Sequence, residues 1–366
     1  MNDILTMAGT QVQTGIGALW QQRIHSLREY EVVRDGNVFG SGFSNNCVHA
    51  SEYDFARRYL DRLLVQYQGL SFLDVFEGHD EFNEAGACFR IQSDVEIPGI
   101  KFDIDGFRHD ILSDLTLVRG IGEKIQQNLK ARGYDTLEDL LHHPKFRTAA
   151  EEVVEQLSSG KSVDMMDLIG SRHSRSHPLA LGTAGFYDPD AFVFIDIETM
   201  GLFSRPIILF GVGTIEGKKL VVRQYLLRDV ADEQAALVAT MNHLSGENPA
   251  LVTFNGKSFD FPYILDRLSY YGIRPRSRIP HFDMLHFSRR RWKNELSSLR
   301  LSALEKEILG VVREEDIPGQ MVPEFYETYL RTGNCGPLVP IVEHNKQDVV
   351  SLAQLFFLLL GELYGC

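Results

Sequence analysis

From Ala191 onward the chain follows one order of elements, β, β, β, α, β, α, and few folds accommodate it. Apolar runs of strand length cover Ala191–Ile195, Ile207–Thr214, Leu220–Leu227 and Leu251–Phe254. Amphipathic runs of helix length cover Asp232–Leu244 and Ser258–Tyr271. A β-rich start passing into alternation of helix and strand predicts a mixed sheet flanked by helices, an α/β architecture within a chain that is α+β overall.

Upstream the signals are different. Glu52 to Gln68 carries Phe55, Tyr59, Leu60, Leu63 and Leu64 at helical spacing. Ala87 to Ile97 and Ile100 to Phe107 read as strands, with Pro98 and Gly99 as the turn between them. Residues 1–110 are therefore expected to be a small α+β region. Residues 111–150 read as a compact helical hairpin: an apolar end (Leu115, Leu117, Val118), then Gly120-Ile121-Gly122, then a helix Glu123 to Arg132 closed by Gly133. Asp135 and Glu138 are spaced to begin the next helix. Residues 151–187 are rich in Gly, Ser and His and are expected to be a connector that leads into the domain 188–366.

Bulk properties exclude several classes. Of 366 residues, 44% are apolar and 24% charged, ordinary for a globular chain with ample core. The net charge of −13 gives no overall attraction for nucleic acid, but binding it needs only a local basic track. Cys47, Cys88, Cys335 and Cys366 lie far apart, so zinc-binding and disulfide frameworks are not expected, and reduced thiols in a cytoplasmic setting are. The first twenty residues lack a signal-peptide pattern, and no apolar run is long enough to span a membrane. The nearest, Leu352 to Leu363, is broken by Gln354, Gly361 and Glu362 and reads as a buried core helix.

The chemistry lies in the carboxylates. In AFVFIDIETMGL an apolar strand runs into Asp196, with Glu198 two residues on, so both acids share one strand face. In TFNGKSFDFPYI a strand passes through Asn255 and Gly256 into a helix that begins at Asp260. In EHNKQDVVSLAQLF a C-terminal helix carries His344 and Asp348 four apart, on one face. Singly each acid fits a bland role: a strand end, or a first-turn acid favoured by the helix dipole. Together they supply four carboxylates and a histidine, the inventory for phosphodiester hydrolysis with two divalent cations, Mg²⁺ or Mn²⁺. Asp196 is the expected bridging ligand, with Glu198, Asp260 and Asp348 completing the shells. His344 would handle the proton of the attacking water as a general base, with an ordinary pKa near neutrality.

These residues resemble the DEDD exonucleases of the RNase H-like superfamily. FNGKSFDFPYI is also similar to the second exonuclease motif of family-B DNA polymerase proofreading domains. DIETMGLFSRPIILFG, VVRQYLLRD, HFDMLHFSRRRW and HNKQD are similar to the bacterial and archaeal YprB-like family. The resemblance spans about Ala184 to Leu363. It implies an RNase H-like five-stranded mixed sheet and a metal-dependent 3′→5′ exonuclease acting on DNA or RNA, with single-stranded 3′ ends as the expected partner. The alternative is a nucleic-acid-binding module whose nuclease fold is weak or silent. One departure stands out. DEDD enzymes usually place a Tyr four residues before the last Asp, or a His five before it; here His344 is four before and Glu343 five before. Asp283, in HFDML, is a strand-end acid near the same region.

LVRGIGEK, residues 117–124, resembles a helix-hairpin-helix. Gly120, Ile121 and Gly122 would form the tight turn, and the helix start with Lys124 would meet a phosphate without reading sequence. A structural hairpin or protein dock is the competing reading. From Arg267 to Lys293 there are eight basic residues (Arg267, Arg274, Arg276, Arg278, Arg289, Arg290, Arg291, Lys293) and one acid, Asp283, for a local charge of +7. Interleaved aromatics suit a single-strand track that includes Arg289, Arg290 and Arg291 beside Asn255, and a solvated face over core aromatics fits as well. His173 and His177 read as solvated linker residues.

Overall fold

The computed structural model describes residues 31–33, 47–97, 104–158, 162–202, 204–246, 248–275, 278–313 and 315–364. Strands β1 (Glu31–Val33) and β2 (Cys47–His49) pair in parallel, and β2 leads into helix α1 (Ala50–Gln66). Tyr59, Leu60 and Leu63 of α1 are buried, whereas Phe55 is 40% exposed. A short helix α2 (Phe72–Val75) precedes the hairpin β3 (Gly78–Asn83) and β4 (Gly86–Glu96).

The expected strand from Ile100 to Phe107 does not form where it is described. Pro98 to Asp103 lie outside the described residues, and helix α3 (Ile104–Leu112) follows. Phe107 and Ile111, four apart, share one face of the helix and are both fully buried. The hairpin then comprises a 3₁₀ turn (Leu115–Leu117), helix α4 (Glu123–Lys130), a second 3₁₀ turn (Asp139–His142) and α5 (Arg147–Ser158). The polar cap on the second turn is Thr136 with Asp139, one residue beyond the expected pair. The stretch read as a connector is also folded. It holds α6 (Ser162–Arg172), α7 (Pro178–Gly182) and a 3₁₀ turn (Thr183–Phe186), which bury Ile169, Leu181 and Ala184.

The main sheet has seven strands in the order β3-β4-β7-β6-β5-β8-β9. Five come from the predicted domain: β5 (Phe192–Thr199), β6 (Ile207–Glu216), β7 (Lys219–Leu226), β8 (Ala250–Thr253) and β9 (His281–Asp283). The five-stranded mixed sheet expected of this domain is present and is enlarged by two further strands. β4 pairs antiparallel with β7 over Phe89–Glu96, so the N-terminal hairpin extends the same sheet. β5, β6 and β7 form an antiparallel meander, while β5 with β8 and β8 with β9 are parallel.

Helices α8 (Glu233–Asn242), α9 (Asp260–Tyr270), α10 (Met284–Trp292), α11 (Leu301–Leu304), α12 (Val322–Thr332) and α13 (Leu338–Tyr364) cover the sheet. α11 runs into a π-helical turn, Glu305–Leu309, which Gly310 ends at φ +69°. Alternation along β5 divides the core. Val193, Ile195 and Ile197 join one apolar cluster, with Tyr263, Ile264 and Phe325. Phe192 and Phe194 join the other, where both rings meet Phe356 of α13 with centroids 4.8 and 5.7 Å away. α13 is 27 residues long; of the expected buried stretch Leu352 to Leu363, Leu352, Leu355, Phe356, Leu359 and Leu360 are core, whereas Leu363 is 40% exposed. Each fully buried Leu or Phe there contributes about 1.5–3 kcal/mol.

Two glycines on β6 let α13 come this close. A Cβ on Gly211 would sit 2.4 Å from Asn345 Oδ1, and one on Gly213 would sit 2.8 Å from Val349 Cγ1. Among the described residues no helix is long and apolar enough to cross a membrane.

Candidate active site: four carboxylates around strand β5

β5 pairs with β8 only as far as Phe194. Asp196 and Glu198 follow where the two parallel strands part, on the face toward α13. α13 fixes Asp196 directly: Asn345 Nδ2 donates to Asp196 Oδ2 at 2.9 Å and to its backbone oxygen at 3.2 Å. Asn345 is in turn held by Gln224 Nε2, which donates to its Oδ1 at 2.9 Å.

Asp260 opens α9. The turn before it places Asn255 at φ +64°, a left-handed conformation that asparagine tolerates better than most residues. Buried Asp283 organises that turn by accepting N–H bonds from Asn255 (2.8 Å), Lys257 (3.1 Å) and Leu285 (3.1 Å). Asp283 thus braces the loop backbone from beside the cluster. Asp260 accepts a backbone N–H from Ile197, which ties it between Asp196 and Glu198.

On α13, His344 and Asp348 lie one turn apart. His344 Nε2 is 3.5 Å from Asp348 Oδ2 and 3.9 Å from Glu198 Oε1. All five predicted residues therefore meet in one place. Their electrostatics agree: burial pushes Asp196 well above the carboxylate range, and the charges of Asp348, Glu198 and Asp260 push it further. Burial likewise lifts Glu198 to about 7, with His344 opposing and Asp348 and Asp260 adding to the rise. Asp260 rises to about 7, mainly through burial, against its backbone hydrogen bonds.

Three further residues at the site escaped the sequence reading. Arg313 donates through Nε and Nη2 to Glu305, at 2.6 and 2.7 Å, and through Nη2 to Asp348. Asp316 Oδ1 lies 2.6 Å from His344 Nδ1 and accepts the hydrogen bond of its N–H. Burial alone would lower the His344 pKa, but this bond and the charges of Asp348 and Glu198 raise it to about 9. The expectation of an ordinary, near-neutral histidine is therefore corrected: with the carboxylates uncompensated, His344 is an imidazolium at pH 7. Arg313, Glu315 and Asp316 fall in a charge-rich run after Gly310 that reads locally as a solvated loop.

Gly120 takes φ +89°, Ile121 is buried, and Gly122 precedes α4, on which Lys124 is exposed. His173 and His177 are not free linker residues. They stack at 4.0 Å, and His173 Nε2 meets Asp114 Oδ2 at 2.6 Å, tying α6 to the hairpin.

The long basic stretch is not one track. Arg267 is buried in a forked pair with Glu233, Arg278 pairs with Asp167, and Arg291 pairs with Glu295 and Glu362. Arg276 lies outside the described residues. Phe282, Phe287 and Trp292 are core. Arg289 and Arg290 are exposed, as is Asn255.

Comparison with known proteins agrees with this architecture. Residues 193–360 match the RNase_H_2 family, described as RNase_H superfamily. The chain is also 33% identical over 190 residues to "Uncharacterized protein YprB" of Bacillus subtilis (strain 168). That alignment covers 50% of this chain and 44% of the relative, so the chain spans less than half of the protein it matches.

Proposed function

We propose that the β5–α13 site is the centre of a divalent-cation-dependent DEDD-type exonuclease that releases nucleotides from 3′ ends of DNA or RNA. The observation that carries this reading is the meeting of four carboxylates whose burial and mutual repulsion hold three of them far from their usual ionisation. Such a cluster is costly unless positive charge joins it, and an all-oxygen donor set suits Mg²⁺ or Mn²⁺. As the side chains stand, no three Asp, Glu, His or Cys groups among the described residues converge as ligands on one point. Asp348 is drawn to Arg313 and Asp196 to Asn345. The chemistry of the donors fits the cations, and Asp196, Glu198, Asp260 and Asp348 would hold them.

Two bound cations would supply an activated water and stabilise the leaving oxygen. The chain's own residues do the rest. Asn345 and the Ile197 N–H fix the orientations of Asp196 and Asp260. Asp316 orients His344 so that Nε2 faces Glu198 and Asp348 on the water side. Once positive charge compensates those two carboxylates, the His344 pKa falls toward its ordinary value and the ring can accept a proton. The turn at Gly120 to Lys124 and the exposed Arg289, Arg290 and Asn255 are the proposed contacts for the nucleic-acid backbone.

The test is nucleotide release from end-labelled single- and double-stranded DNA and RNA, with Mg²⁺, Mn²⁺ or chelator. Cleavage is expected only with metal and from the 3′ end. It should fall to the chelator background in Asp196→Ala and Asp260→Ala, and by about 10²–10⁴-fold in His344→Ala. Full cleavage in chelator, or by both aspartate variants, removes the metal mechanism. Nucleic-acid binding without any release identifies a silent binding module.

A further inference from the structure

We infer that Arg313 is a positioning residue for Asp348: clamped by Glu305, it holds one carboxylate oxygen of Asp348 and turns the other toward the cluster, and the cation affinity of the site depends on it. This rests on reading the cluster as a cation site.

The clamp is built from buried charge. Glu305 lies on the π-helical turn with its side chain 1% exposed, and it takes two of the guanidinium's donors in a fork. Arginine stays charged and its donors are fixed in one plane, so a fork on Glu305 sets the direction of the rest. Nη2 reaches Asp348 Oδ1, and Nη1 faces Asp316 at 3.5 Å. Asp348 Oδ2 is then left facing His344 Nε2 at 3.5 Å, the side on which Glu198 lies. Without Arg313, nothing else among the hydrogen bonds of the described residues selects that rotamer of Asp348. Hydrogen-bond partners that orient a ligand from outside typically change metal affinity 10–100-fold when removed. The guanidinium's positive charge acts the other way by repelling a cation, so the sign of the affinity change decides between a positioning role and a competing one.

The experiment is calorimetric titration of Mn²⁺ into the full chain, without nucleic acid, for wild type, Arg313→Gln, Arg313→Lys and the double variant Glu305→Gln/Arg313→Gln. The double variant also neutralises buried Glu305, the carboxylate that the single change strands in its fork, and so separates that loss of stability from the effect on Asp348. Thermal melting reports whether each variant is folded. Arg313→Gln and the double variant are expected to bind Mn²⁺ about tenfold or more weakly. Arg313→Lys, which keeps the charge but cannot fork to two carboxylates, should fall between them and wild type. Wild-type or tighter affinity in the folded variants overturns the inference. If neither wild type nor any variant binds Mn²⁺, the cation-site reading fails and takes this inference with it.

Discussion

Glu198 shows what single residues contribute to the balance of the site. Its carboxyl is raised from the ordinary glutamate value to about 7. The folded protein therefore favours the protonated form, and the cost of Glu198 appears as pH rises through about 4.5 to 7. His344 works in the same direction. Its pKa, raised to about 9, gives stability that is complete below about 6.5 and is lost as pH rises through 9. Metal-free protein is thus expected to lose stability from pH 5 to pH 8. Glu198→Gln should flatten that loss, by no more than about 3 kcal/mol because His344 gives up a partner in the same change. Urea midpoints in chelator at the two pH values check this, and equal slopes in variant and wild type would contradict it. The same balance explains why a site this acidic retains Arg313: one fixed cation lowers the repulsion without neutralising the cluster.

At the scale of elements, the helical hairpin is the part whose role is most open to measurement. Lys124 and Lys130 are exposed on α4, behind the turn that Gly120 shapes with its positive φ. If that turn meets a phosphate backbone, Lys124→Ala with Lys130→Ala should weaken binding and lower the magnitude of the log–log salt slope by roughly 2, as fewer counterions are released. An unchanged slope would point to a purely structural hairpin. Strand β5, the turn at Asn255 and the body of α13 were legible in the sequence because each is written locally: period two, a strand-to-helix break, and helical spacing after His344; the start of α13 was not, since the helix begins at Leu338, well before that spacing. Other features depend on partners far along the chain. The Arg313–Asp316 run looks like any solvated loop until α13 is placed beside it. α6 and α7 carry polar, glycine-bearing sequences whose burial is decided by the hairpin they pack on. Arg267 looked like a surface cation because nothing adjacent announces Glu233.

For the whole molecule, the joining of β4 to β7 means that the stretch matching the RNase H superfamily is not closed by its own residues. A fragment 184–366 would expose the β7 edge as a row of unpaired N–H and C=O groups beside a largely buried strand. Such a fragment is expected to self-associate on gel filtration and to melt well below the full chain. A fragment 47–366 should stay monomeric, and a monomeric 184–366 with the full chain's melting temperature would refute this. α13 gives the molecule its other continuity, running from Leu338 and Ile341 in one core to Leu360 in the other. Asn345 seats in the gap left by Gly211, so the helix behaves as a keyed shaft: it can enter its socket in one rotational setting only. A slip of one residue would turn every side chain by about 100° and carry His344 and Asp348 off the site together. The key fixes the angle from the sheet side, whatever happens in the loop before Leu338. Changes in the length of that loop should therefore be absorbed upstream, whereas a single methyl group at Gly211 would be felt across the strand pair at Asp196.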